Sequence, residues 1–377
     1  MEVLRHLRPE GLTRAATRRA GLAAALVTSL LTAGCAGPQT RAEPLRPIAR
    51  GPQWPVKSRE HVDLWLHGFA LLMTDTATVP LFARDYAQHV TIEKNRRGVY
   101  SALDSARPQL QASLRQRPVL EGAQFLALYF GSWPEMQQAF EYFRKAEGDP
   151  RQASNRDVQQ VIAVLAEQFP RKEDREFALR FVRVLADEQA RFHHAWWLEE
   201  QRARTAGFAA FDSLWQSRWR PALQPYLNHT QQTNGDLLLV RALGGEGRAV
   251  PAGRSLSQYA VAWPASPDSA EVALFTFVHE AASPVAAVAV NDHLTPAQQR
   301  EGMGAKLMAT ALVRGGALLV AKVDAALGER YARWYLAQAG RPVGTGTALE
   351  ALAAAFPMPA EMVASMQRQI DLAFTGI

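Results

Sequence analysis

The chain has 377 residues, 48% hydrophobic and 21% charged, a globular balance that excludes a wholly disordered or fibrous protein. Of its net charge of +6, residues 1–34 supply +3, five arginines against two acids; the remaining +3 gives no argument for a nucleic-acid partner. The single cysteine excludes an intrachain disulfide framework.

The chain opens on a basic stretch carrying Arg5, Arg8, Arg14, Arg18 and Arg19, then an apolar run from Leu22 to Leu31. That run is far shorter than the ~20 residues of a spanning helix. Residues 1–34 therefore read as a cleaved export signal. Leu31-Thr32-Ala33-Gly34-Cys35 sets small residues directly before the cysteine and resembles the lipobox of bacterial lipoproteins, with Thr32 where leucine is usual. The resemblance implies that Cys35 receives a diacylglyceryl group and that the chain is cut just before it. Acyl chains would then hold the protein to a membrane, each buried CH2 contributing roughly 0.8 kcal/mol. Ala36, rather than Asp, implies by the same resemblance transfer to the outer membrane, facing the periplasm. Thr17-Arg18-Arg19 also resembles a twin-arginine export motif, which leaves the export route open. Residues 35–57, with Pro38, Pro44, Pro47, Pro52 and Pro55, read as the lipidated cysteine and a semi-rigid tether.

Residues 58–232 read as helix after helix. His61 to Phe69 starts an amphipathic helix, Pro80 to about Asn95 reads as the next, and Asp174 to about Thr205 as one long helix. Prolines and Gly98 punctuate the segments between. From residue 233 the pattern changes. Thr233-Asn234-Gly235 is a turn signal, followed by the strand-like runs Leu237–Val240, Arg248–Val250 and Gln258–Trp263. Helices return from Pro267 to the end, with Leu318-Leu319-Val320 readable as helix or strand. The expected fold class is α+β, mainly helical with a small antiparallel sheet between about 236 and 264.

Residues 233–377 hold the most suggestive chemistry. The helix from Ser266 is apolar nearly all round, so it should be buried. It carries His279 and Glu280, and a buried carboxylate is costly unless paired or hydrogen-bonded. Arg248, Arg330 and Arg333 are the available kinds of partner. A short sheet followed by such a helix resembles the zincins, zinc metallopeptidases whose H-E-x-x-H helix holds zinc with two histidines and activates water with the glutamate. Here the run is His279-Glu280-Ala281-Ala282-Ser283, so the second ligand is replaced by serine. Asp292 and His293 stand near, and Glu301, Asp324 or Glu329 are of the kind that would complete a site. The resemblance implies His279 as a zinc ligand and Glu280 as the catalytic base; a fold without its metal, or a structural pair, are the other readings.

Other clusters read as packing. Glu188 through His193-His194-Ala195-Trp196-Trp197 to Glu199-Glu200 lacks the Glu-x-x-His spacing of di-iron bundles, because Glu188 plus three is Arg191. Asp63 and His67, and Asp85 and His89, lie one turn apart and read as surface pairs of a few tenths of a kcal/mol rather than general bases. Serine-hydrolase, Walker and Rossmann signatures do not appear. The expectation is a membrane-anchored envelope lipoprotein whose zincin-like or helical domain does binding or structural work without a cofactor. Its partners would be the membrane, through Cys35, and a protein or peptide. The alternative is a zinc metallopeptidase with a relaxed motif.

Overall fold

The computed structural model describes residues 54–73, 77–253 and 256–375. The expected signal, Cys35 and the tether as far as residue 53 lie outside the described residues. The body begins at Trp54, inside the stretch expected to be tether. Its indole is buried, its Nε1 donates to the carbonyl of Thr233, and its own carbonyl accepts from Nε1 of Trp215 at 2.9 Å. The ring lies so close to Gly235 that a Cβ there would have no room. Val56–Lys57 then form strand β1.

Among the described residues nine α-helices follow: α1 (Glu60–Leu72), α2 (Tyr86–Arg97), α3 (Ala102–Gln116), α4 (Trp133–Lys145), α5 (Arg156–Gln168), α6 (Lys172–Glu188), α7 (His194–Ala203), α8 (Thr205–Leu214) and α9 (Arg220–His229). α1 is not a surface helix: all its residues after Glu60 are buried, at the centre of α2 to α6. α2 starts later than expected, because residues 81–83 pair instead with the chain after strand β2 (Asn234–Val240), through Ala83 N–H to Ala242 O and Gly244 N–H to Leu81 O. The expected single helix over 174–205 is α6 and α7 joined by a π-helical turn, Gln189–His193. The wider turn brings Glu188 and His193, five residues apart, onto one buried face.

The sheet contains β1, β2, β3 (Arg248–Gly253) and β4 (Leu256–Ala262) in the order β1-β2-β4-β3. It is mixed, not antiparallel as expected. β1 and β4 both run parallel to β2, with Leu237 opposite Tyr259, and only the β3–β4 pair is antiparallel. The reason lies in two-sided burial. Leu238, Val240, Ala260 and Ala262 face the core of α1–α6, while Leu237, Leu239, Tyr259 and Val261 face a second core. Strands covered on both faces read as unbroken apolar runs and suit parallel pairing.

The second core is closed by α8, α9 and the helices after β4. These are α10 (Glu271–Ala281), α11 (Ser283–His293), α12 (Pro296–Arg300), α13 (Met303–Val323), α14 (Ala325–Gln338), α15 (Ala348–Ala355) and α16 (Ala360–Thr375), all but the short, mostly exposed α12 contributing to it. Asp324 caps α14 through Leu327 N–H, and Thr295 and Thr347 form capping boxes on α12 and α15. Leu318-Leu319-Val320 is helical, inside α13. Residues 267–293 and 303–323 are apolar and long enough to cross a membrane, and 67% and 39% of their apolar windows are buried within the body.

Candidate functional site

His279 and Glu280 sit at the end of α10 next to the loop before β3. The imidazole is buried and stacks on Tyr335, the planes 15° apart and the centroids 5.6 Å apart. Its Nδ1 lies 3.0 Å from Oε1 of Glu280, which also accepts the Gly247 N–H at 3.2 Å. None of the expected arginines reaches Glu280: Arg248 is held by Glu246 and Gln124, Arg330 pairs with Glu271, and Arg333 is exposed. Glu280 is at the rim, its side chain 13% exposed, rather than in the core. A proton on Nδ1 leaves Nε2 of the neutral ring as a bare acceptor, and that atom is buried without a partner.

The other expected ligands do not join it. α10 ends at Ala281, and Ser283 starts α11 on the exposed surface. Asp292 and Glu301 are exposed; His293 bonds the carbonyl of Ala289, Asp324 pairs with Arg218, and Glu329 accepts from Ala348 N–H. Among the described residues no group of three or more His, Cys, Asp or Glu side chains could hold a metal ion. One imidazole with one carboxylate falls short of the three protein ligands of a catalytic zinc.

The pairs expected at the surface are partly inside. Asp63 and His67 are both buried, and they do not bond each other. His67 bridges the hydroxyl of Tyr86 (2.9 Å) and Oε1 of Glu188 (3.1 Å). Oε2 of Glu188 accepts from Lys94 Nζ at 2.8 Å and from the Ser101 hydroxyl. Burial pushes the Glu188 carboxyl up, but the bonds and charges of His67 and Lys94 outweigh it and hold it at about 2. His193 lies beside His67, ring centroids 4.9 Å apart; burial holds it well below the usual imidazole value. Asp85 is exposed and His89 half-buried, their expected pairing reduced to the helical backbone bond. The cluster's remaining charges are paired with Arg97, Arg241, Arg204 and Glu60.

A cleft of 510 Å³ at the carboxyl ends of β2 and β4 gathers groups from both halves of the body. Arg241 follows β2 directly, Trp263 follows β4, Arg204 ends α7, and Trp334 and Gln338 belong to the end of α14. Arg204 and Arg241 both send Nε to the same oxygen, Oε2 of Glu200, at 3.0 and 2.9 Å. Arg204 Nη1 also donates to the Trp263 carbonyl, and the Arg241 guanidinium lies 5.6 Å from the ring centre of Tyr86. Behind it, Asp63 accepts the Arg241 N–H on Oδ1 at 2.8 Å and Trp197 Nε1–H on Oδ2 at 3.0 Å. Burial pushes the Asp63 carboxyl up to about 7, against these bonds and the two guanidinium charges.

This cleft was not singled out from sequence, because its residues come from five separated segments. The signal that points to it is positional: in sheets with parallel strands, ligand crevices open beyond the carboxyl ends. Arg241 and Trp263 are the first residues after two apolar strands. Compared with protein-family models, curated proteins and solved structures, the chain matches none.

Proposed function

We propose that the chain is a lipid-anchored binding protein of the bacterial cell envelope. Cys35 fixes it to the outer membrane facing the periplasm, and its body works without catalysis, holding a ligand in the Arg204–Arg241 cleft. What supports the binding role is the cleft itself, a concave site of small-molecule size walled by apolar side chains and a few convergent polar groups. What supports the anchor is the run Leu31-Thr32-Ala33-Gly34-Cys35. Replacing Cys35 with alanine should leave the protein unlabelled by a fatty-acid analogue and release it to the soluble fraction. Continued acyl labelling of that variant would overturn the anchor.

A second reading, the zinc metallopeptidase, has one observation in its favour: the buried, unpartnered Nε2 of His279. Zinc analysis of the purified protein separates the two. Stoichiometric zinc lost on His279→Ala, with peptidase activity abolished by Glu280→Gln, would establish the enzyme. Zinc-free protein would rule it out.

A further inference from the structure

We propose that the cleft beyond β2 and β4 recognises an oxyanion, carboxylate or phosphate, borne on an aromatic or apolar ring. This rests on the reading of the cleft as the binding site and names what it takes.

The charge argument comes first. The cleft wall carries three guanidiniums, Arg84, Arg204 and Arg241, against one carboxylate, Asp85. Arg204 and Arg241 are withdrawn from water, each side chain only 14% exposed, and they share a single oxygen of Glu200. One carboxylate leaves the pair with an excess positive charge. Asp63, the next acid behind Arg241, is pushed up to about 7 by burial, so its charge offsets the pair only in part near neutral pH.

The hydrogen-bond argument points the same way. A guanidinium has five N–H donors and accepts nothing. With Nε committed to Glu200 and Arg204 Nη1 committed to Trp263 O, no described residue hydrogen-bonds to Arg241 Nη1, Arg241 Nη2 or Arg204 Nη2. These nitrogens are not sealed from solvent, so they are free to meet a ligand that enters the cleft. An oxyanion supplies several acceptors at once, and a guanidinium fork matches carboxylate or phosphate with two parallel bonds. Glu200, by fixing both Nε atoms, orients the two forks. Trp263, which lines the same wall, has an indole Nε1 that is buried without an acceptor.

Apart from Ser269 and Gln338, the rest of the wall is apolar. Trp334 is held edge-on by Tyr335, centroids 4.7 Å apart at 89°, and tilted against Phe275 at 5.7 Å. Trp263, Leu243, Pro264 and Val272 line the cleft beside it. A cationic side and an aromatic side in one cleft suit a ligand with an anionic head and a flat or apolar body.

Three probes test this on the full-length protein in a neutral detergent by calorimetry and ligand-observed NMR: phenylacetate, phenyl phosphate and the neutral phenylacetamide. The expected result is that at least one anion binds about tenfold or more tighter than the amide, as a charge-assisted bond provides. The stronger of the two anions identifies the head group. Arg241→Gln should erase the advantage, with Arg204→Gln as the second variant should the first fail to fold. Glu200→Gln, which removes the competing carboxylate charge, should move anion affinity the opposite way. An anion advantage untouched by both arginine variants overturns the inference. So does equal binding of anion and amide; if Trp334→Ala then abolishes that binding, the cleft survives as the site and only the oxyanion is wrong. No binding by any of the three overturns both.

Discussion

The backbone N–H of Arg241 donates to Oδ1 of Asp63 at 2.8 Å, tying the first turn of the central helix α1 to the point where β2 ends. The bond joins residues 178 apart in sequence and seats the arginine whose guanidinium enters the cleft.

Its burial gives Asp63 a recognisable pH signature. Burial raises its carboxyl from 3.8 to about 7 while Arg241, Arg204 and Trp197 pull it down and Tyr86 and Glu200 stand close by. The folded protein therefore holds a proton that the unfolded chain releases. The contribution of Asp63 to stability is fully present below about pH 4 and is lost as pH rises through about 7, by ~4 kcal/mol at most. His61, lowered to about 4 by burial, and His193, also lowered, act in the opposite sense, so the parent profile is a compromise. The expected observable is the difference. Asp63→Asn should cost about 1–3 kcal/mol at pH 4, because its amide can accept only one of the two N–H groups. It should then gain on the parent as pH rises to 8. Urea denaturation of the two proteins from pH 4 to 8 checks this; a constant difference would show the carboxyl ionised throughout.

Glu188 behaves oppositely. Its carboxyl is held at about 2, so its contribution is present above pH 4.5 and lost as pH falls from there toward 2. Glu188→Gln should destabilise by about 3 kcal/mol or more at neutral pH, because Lys94 stays buried with one charged partner fewer. Denaturation at pH 7 measures the cost, and an unchanged midpoint would mean that Asp104 alone satisfies Lys94.

Trp54 should matter more than its place in the sequence suggests. Trp54→Ala should cost about 3–5 kcal/mol, the range for emptying a buried aromatic site. Equal midpoints for the parent and Trp54→Ala would return Trp54 to the tether.

The positions of three strands could be read from the sequence, because Leu237–Val240 and its partners stand out against the helical spacing on either side. Their direction was open to reading too, had the unbroken run of four apolar residues been taken as a sign of two covered faces. β1 escaped because it has only two residues and follows a proline. The burial of α10 and His279 followed from a helix with no polar face. The Asp63–Arg241 bond and the Glu188–His67–Lys94 network did not follow, since each joins helices or strands whose packing no local pattern encodes. Asp63 and His67, one turn apart, looked like partners, yet each faces a different neighbour.

Under the proposed anchor at Cys35, β1 also has a mechanical meaning. Tension reaching Trp54 would be borne by its carbonyl, which accepts from Trp215 and Gln216, and by the Pro55 carbonyl, which accepts the Leu237 N–H and leads into β2. The far end of β2 carries Arg241 and the cleft. Force on the anchor and occupancy of the cleft therefore act on the two ends of one strand.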